Sequence, residues 1–216
     1  MSINKSYAVF GLGKYGFSVA KELVNSGAEV LAVDINEDVV NDAVTELPLC
    51  KCGDVTDDEV IRQLGIADID VVIIAMADCL EASVMATALC KEAGVKTVIA
   101  KCSDKMHQKI LNRIGADRVV FPEEESGIRL AKNILSSGFV DLIELSDDVS
   151  LIELDIRPEW EGKNLLQLNF RKKYSLNVIA IKQNDNICID IDPEKSLEKD
   201  MKLIVIATAK TLKKLK

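Results

Sequence analysis

The chain has 216 residues, of which 48% are hydrophobic and 29% charged, with a net charge of -8. No apolar run approaches the ~18 residues that cross a bilayer. An acidic balance of this size argues against a nucleic-acid binder, which needs a basic surface to displace counterions.

Met1-Ser2-Ile3-Asn4-Lys5 carries no apolar signal-peptide core and leads directly into a β-rich run. A cytoplasmic protein is expected, one that reaches a membrane only by binding a membrane protein. Along the first two-thirds, short β-rich runs alternate with helical segments, the pattern of a parallel sheet with crossover helices. Strands are predicted at Tyr7–Phe10, Glu29–Asp34, Leu49–Lys51, Val71–Ala75, Thr97–Ala100 and Arg118–Phe121. Helices fall between them at about 14–26, 36–45, 57–64, 78–92 and 104–113. Asn36, Asp57 and Asp104 stand where N-caps belong, and Gly27, Gly65, Gly94 and Gly115 where helices stop. The expected fold is α/β: a Rossmann-like, doubly wound parallel sheet in residues 1–135, followed by a small C-terminal α+β domain in 136–216.

A helix is predicted over 123–135, broken by Ser136-Ser137-Gly138. A second apolar, helix-like stretch follows at 139–150 as part of a linker. Beyond it, strands are expected at 151–157, 177–182, 186–190 and 202–207, with a short helix at 165–168 and a hairpin turn at Asn184-Asp185-Asn186. Lys210 to Lys216 reads as the solvated face of a last helix. The second domain is small for an independent core, so pairing with a second copy is expected.

Gly11-Leu12-Gly13-Lys14-Tyr15-Gly16 directly follows the first strand and opens the first helix. In that context the glycines permit a tight turn, close approach of a phosphate and tight helix–strand packing, while the helix N-terminus offers N–H groups and partial positive charge. Asp34 ends the second strand, where a carboxylate bonds ribose hydroxyls. Ile35 and Asn36 after it carry no positive charge, which disfavours a 2′-phosphate. An adenine nucleotide is therefore expected on the loop and Asp34.

Six cysteines, at 50, 52, 79, 90, 102 and 188, contain no Cys-x-x-Cys pair. They read as reduced thiols in an apolar core. The single histidine, His107, reads as a surface or cap residue. With no credible acid–base residue and no substrate domain, the chain reads as a binding protein and not an enzyme. An NAD-dependent oxidoreductase and a free-standing nucleotide sensor remain the alternatives.

Four stretches together carry a family resemblance: Ala8 to Gly16, Glu29 to Asn36, Ile114 to Glu123, and Lys173-Tyr174 through Ile179 to Lys182. They resemble the cytosolic regulatory subunits of Trk/Ktr potassium-uptake systems, built from an RCK N-terminal (TrkA-N) and an RCK C-terminal (TrkA-C) domain. The resemblance implies dimers assembling into an octameric ring beneath a TrkH/KtrB-like membrane potassium-translocating subunit, at the inner face of the cell membrane. ATP, ADP or NAD(H) would gate ion flux by shifting ring populations. The matching positions imply a pocket from the loop 11–16, Asp34, Asp54-Val55-Thr56, Ala75-Met76-Ala77 and Lys101. Glu123 is implied to help bind Mg2+ or Ca2+ beside the terminal phosphate of ATP. Lys14 stands where ATP-sensing members usually carry Arg, keeping the charge but losing the planar fork. A cyclic di-AMP site is implied at Leu168, Arg171, Asn177, Ile179 and Pro193.

Overall fold

The computed structural model describes residues 5–135, 139–146, 148–184, 186–208 and 210–211. By its contacts the chain divides into two compact units, Met1–Pro122 and Glu123–Lys216.

The first unit runs β1 (Ser6–Phe10), α1 (Lys14–Asn25), β2 (Glu29–Asp34), α2 (Glu37–Ala43), β3 (Cys50–Cys52), α3 (Asp58–Gln63), a 3-10 turn at Ile66–Asp68, β4 (Val71–Ile74), α4 (Leu80–Glu92), β5 (Thr97–Lys101), α5 (Lys105–Ile114) and β6 (Arg118–Val120). Its six strands form one sheet in the order β3-β2-β1-β4-β5-β6, with every pairing parallel. This is the doubly wound order, in which the winding reverses between β1 and β4.

Alternation along the strands loads both faces. Ala8, Phe10, Leu31, Val33, Val72 and Ile74 pack with Ile61 of α3, Ala86 and Cys90 of α4 and Leu111 of α5. Val9, Val30, Ala32, Val71 and Ile73 pack with Ala20 of α1 and Ala43 of α2. Two-sided burial explains why Val71–Ile74 is apolar throughout. The expected caps are present: Asn36, Asp57 and Asp104 each accept backbone N–H bonds at the start of α2, α3 and α5. Gly65 and Gly115 take left-handed conformations where helices end.

The second unit begins with α6 (Pro122–Leu135), which starts at the division between the units. It continues β7 (Phe139–Glu144), β8 (Val149–Asp155), α7 (Leu165–Leu168), α8 (Phe170–Lys173), β9 (Asn177–Gln183), β10 (Asn186–Cys188) and β11 (Lys202–Thr208). The strands form a second sheet, β10-β9-β11-β8-β7, with all pairings antiparallel. The helix-like reading of 139–150 is corrected here: the segment is a hairpin arm, with β7 paired to β8. Its apolar residues suit helix and strand equally, and long-range pairing decides between them. The β9–β10 hairpin forms as expected, with Gln183 opposite Asn186; Asp185 lies outside the described residues. So do Ser136, Ser137 and Gly138, and all of the basic C-terminal segment except Lys210 and Thr211.

The core of this unit is centred on Trp160, which is fully buried. Its ring meets Phe170 and Tyr174 edge-on at 4.9 and 5.4 Å between centroids, and its indole N–H donates to the Tyr174 hydroxyl at 3.1 Å. No helix among the described residues is long and apolar enough to cross a membrane.

Candidate functional site

The loop 11–13 joins β1 to α1 at the carboxyl end of the sheet. Gly11 has φ +86°, and a Cβ there would lie 2.7 Å from Met76 Cγ. A Cβ on Gly16 would run into the Gly11 carbonyl oxygen. Both glycines are therefore required by the protein's own packing. Gly13 differs: its φ is -62°, and a Cβ would meet nothing within 4 Å. The fold alone sets no demand for glycine there, and the loop's face at Gly13 is open.

Gly13 caps α1 without any side-chain hydrogen bond, and the first turn holds no acidic residue. The first intrahelical bond runs from Phe17 N–H to the Gly13 carbonyl at 2.9 Å. The leading N–H groups of α1 and its positive dipole end are thus not neutralised by a carboxylate within the turn. Lys14 lies exposed on this turn, and Lys101 at the end of β5 holds its ammonium 5.7 Å from the Tyr15 ring centroid. Two lysines and a helix N-terminus make this edge of the site suited to phosphate.

Asp34 binds the loop itself. Its Oδ2 accepts from Leu12 N–H at 2.6 Å and its Oδ1 from Asn36 N–H at 2.9 Å. Each carboxylate oxygen retains further acceptor capacity for a hydroxyl. Across the opening, Asp54 accepts from Thr56 N–H at 2.9 Å and from its hydroxyl at 2.7 Å. Those bonds hold the Asp54 carboxyl below the usual carboxylate range.

A cavity of about 490 Å³ opens at the carboxyl end of the sheet, where the winding reverses between β1 and β4, lined by Gly11, Gly13, Asp34, Ile35, Asp54, Val55, Thr56, Ala75 and Met76. These are all positions expected from the sequence. Leu12, Gly16 and Ala77 are buried, and Asn36 caps α2 through Asp38 N–H. Lys14, Tyr15 and Lys101 stand on the first turn of α1 and the end of β5. Glu123 falls in the second unit, in the first turn of α6 with Glu124 and Glu125.

The cavity also takes in Val33, Gly53, Asp78, Cys79 and Ala82, which the sequence reading passed over. Asp78 and Cys79 lie in the connection between β4 and α4, on the opposite side of the winding reversal from the glycine loop, and that position is the signal that would have found them. The expectation of core thiols holds for Cys90 and Cys102; Cys52, Cys79 and Cys188 are exposed and Cys50 is half-buried. His107 needs a clearer correction: it is 2% exposed, and its ring nitrogens lie against serines. It sits on the inward face of α5, which its polar neighbours in sequence disguise. Among the described residues no group of three or more His, Cys, Asp or Glu side chains is placed to hold a metal.

In the second unit, Arg171 and Asn177 line a separate cavity of about 420 Å³ with Leu165, Leu166, Asn169 and Phe170. The Pro193 carbonyl accepts from Leu166 N–H at 3.4 Å, which brings the 193 loop to the same helix. Ile179 is partly exposed on β9. Leu168 is 4% exposed and packs into the core with Trp160, so its side chain serves that packing.

Residues 7–122 match the TrkA-N domain family. The chain is 37% identical over 206 residues to the Ktr system potassium uptake protein C of Bacillus subtilis (strain 168), spanning 95% of this chain and 93% of that protein. It is 36% identical over 203 residues to the Ktr system potassium uptake protein A of Vibrio alginolyticus, spanning 94% and 92%. Among solved structures, the GsuK channel bound to NAD aligns with a TM-score of 0.65 at 18% identity, over 98% of this chain and 38% of that one. The NAD(P)-binding domain of an exopolyphosphatase-related protein from Archaeoglobus fulgidus aligns with a TM-score of 0.54 at 21% identity, over 61% and 98%. At these identities the two structures show a shared fold.

Proposed function

The chain belongs to the TrkA-N family and to the Ktr-type potassium-uptake proteins within it, and from that premise we propose that it is a nucleotide-sensing regulatory subunit that gates a membrane potassium-translocating partner. The observation that carries the nucleotide reading is the cavity at the winding reversal, bounded on one side by the glycine-capped N-terminus of α1, which has no side-chain cap bond, and on the other by Asp34. The N–H groups of α1, Lys14 and Lys101 would hold phosphates, and Asp34 would hold ribose hydroxyls. Three carboxylates, Asp34, Asp54 and Asp78, line the cavity. They favour hydroxyl donors and repel a 2′-phosphate, so ATP, ADP or NAD(H) fits better than NADP. Glu123 would join Mg2+ or Ca2+ beside a terminal phosphate.

The partner is a TrkH/KtrB-like membrane subunit, and the chain acts on it from the cytoplasmic face as a homo-oligomeric ring built from dimers. Ligands that contact two ring states differently shift the population between them, which is all that gating requires. Binding without chemistry is the favoured mode: His107 does not line the cavity, and its ring is engaged by Ser83 and Ser103. A second ligand, cyclic di-AMP, would use the cavity at Arg171 and Asn177, with Ile179 and Pro193 nearby.

Calorimetric titration of the full chain with ATP, ADP, NAD and NADH, with and without Mg2+ or Ca2+, tests the reading when paired with light scattering. Saturable binding to a ring-sized oligomer with no nucleotide turnover is expected. A monomer that binds none of the four would overturn it, and reduction of NAD with a metabolite panel would favour an oxidoreductase. In the same assay, absence of heat with micromolar cyclic di-AMP would remove the second ligand.

A further inference from the structure

Three polar side chains are buried together between α4 and α5: Ser83 and Thr87 are fully buried and His107 is 2% exposed. His107 Nε2 lies 3.1 Å from Ser83 Oγ. Its Nδ1 lies 3.4 Å from Ser103 N and 3.3 Å from Ser103 Oγ. Thr87 donates its hydroxyl to the Ser83 carbonyl at 2.7 Å, bracing the turn of α4 that carries Ser83. The Ser103 N–H can only donate, so Nδ1 accepts, and the ring proton of neutral His107 belongs on Nε2, aimed at Ser83 Oγ.

One end of this bridge adjoins the lining of the nucleotide cavity, and the other follows the strand end that carries Lys101. Cys79 and Ala82, at the start of α4 and just before Ser83, line it. Ser103 follows by two residues Lys101, which lies beside Tyr15 on the first turn of α1. We infer that His107 is a positioning residue for the nucleotide cavity: its neutral ring ties the cavity-lining start of α4 to the Lys101–Ser103 end of β5, so protonating the ring weakens nucleotide binding. The inference rests on the nucleotide reading above.

The physical step is simple. A proton added at Nδ1 sets a donor against the Ser103 N–H donor; the Ser103 hydroxyl, 3.3 Å away, is the acceptor left to it, so the ring loses its tie to the strand-end backbone and the charged ring stays buried. The groups facing the ring are Ser83 from α4, Ser103 from the end of β5, and the Asp104 carboxylate from the cap of its own helix. Asp104 favours the charged ring, but burial outweighs it and holds His107 below its ordinary value of 6.5. The ring is therefore neutral near pH 7 and gains its charge in acid.

The sequence holds one histidine, so the imidazole NMR signal of the full-length protein reports this ring alone. NAD is the probe, because its diesterified pyrophosphate does not titrate near neutrality. NAD affinity is expected to fall as pH drops from 7.5 to 5.5, by about tenfold in all once the ring is fully protonated, and to be flat with pH in His107→Gln. Linkage then requires the imidazole to titrate about one pH unit lower when NAD is bound. That measurement uses the unaltered protein and needs no variant to fold. NAD binding at pH 7.5 with a pH-independent affinity and an unmoved imidazole titration would overturn this inference and leave the nucleotide reading intact. Failure of NAD, ATP and ADP to bind at pH 7.5 would overturn both.

Discussion

At the scale of single residues, Asp34 braces the fold at the edge of the proposed nucleotide cavity. Its carboxylate takes one backbone N–H from the glycine loop and one from the cap of α2, which fixes the loop relative to β2 before any ligand arrives. Asp34→Ala is expected to weaken nucleotide binding by about 1–3 kcal/mol. It should also lower the melting temperature without ligand, because Leu12 N–H loses its acceptor. Calorimetric titration and thermal melts of the same sample read the two effects, and unchanged affinity would show that the ribose is held elsewhere. His107 makes a second prediction. Its folded pKa is below its unfolded value, so the unfolded state binds more protons in the window beneath about pH 6.5. The contribution of this group is fully present above that pH and is lost as pH falls toward the folded pKa. Melting temperatures of the wild type should drop between pH 7.5 and 5.5 more steeply than those of His107→Gln.

At the scale of elements, the β1–α1 turn separates two roles that a glycine-rich motif merges. Gly16 is demanded by packing against the Gly11 carbonyl, whereas Gly13 faces open space. Gly16→Ala is expected to destabilise the protein on the order of 1–3 kcal/mol through overpacking. Gly13→Ala should change stability by less than about 1 kcal/mol, the scale of a cap substitution. Yet it should bind nucleotide at least about tenfold more weakly, because the added methyl crowds the phosphate path. Chemical denaturation and titration of the two variants check this contrast, and equal loss of stability in both would show that the loop's open face is not a binding face. The helices and strands around this turn were readable because each carries its own periodicity and stop signals: Asn36, Asp57 and Asp104 cap as their chemistry dictates. The 139–144 strand was not readable, because its identity depends on β8 as a partner and not on its own pattern.

At the scale of the whole molecule, the two units carry separate reporters. The single tryptophan, Trp160, lies in the core of the second unit, and the single histidine lies in the first. A ligand that binds only the folded first unit stabilises it by mass action, about 2.7 kcal/mol at a concentration 100 times its Kd. NAD at that level should therefore raise the temperature at which the His107 imidazole signal collapses. Cyclic di-AMP should instead raise the transition seen by Trp160 fluorescence. If each nucleotide shifted only the other unit's transition, the assignment of ligands to cavities would be wrong.

The sequence by itself determined the doubly wound order, the glycine loop and Asp34, since these follow from periodicity, caps and spacing within one βαβ unit. Most of the cavity was legible for the same reason: nine of its lining residues sit at the loop or at strand ends. Only the tertiary structure decided that Asp78, Cys79 and Ala82 join them, that β7 is a strand, and that His107 is an interior bridge. Each of those depends on a partner distant in sequence: β1 across the winding reversal, β8 across a hairpin, and Ser83 on a neighbouring helix. Burial and pairing of that kind are settled by packing between elements, and no local pattern encodes them.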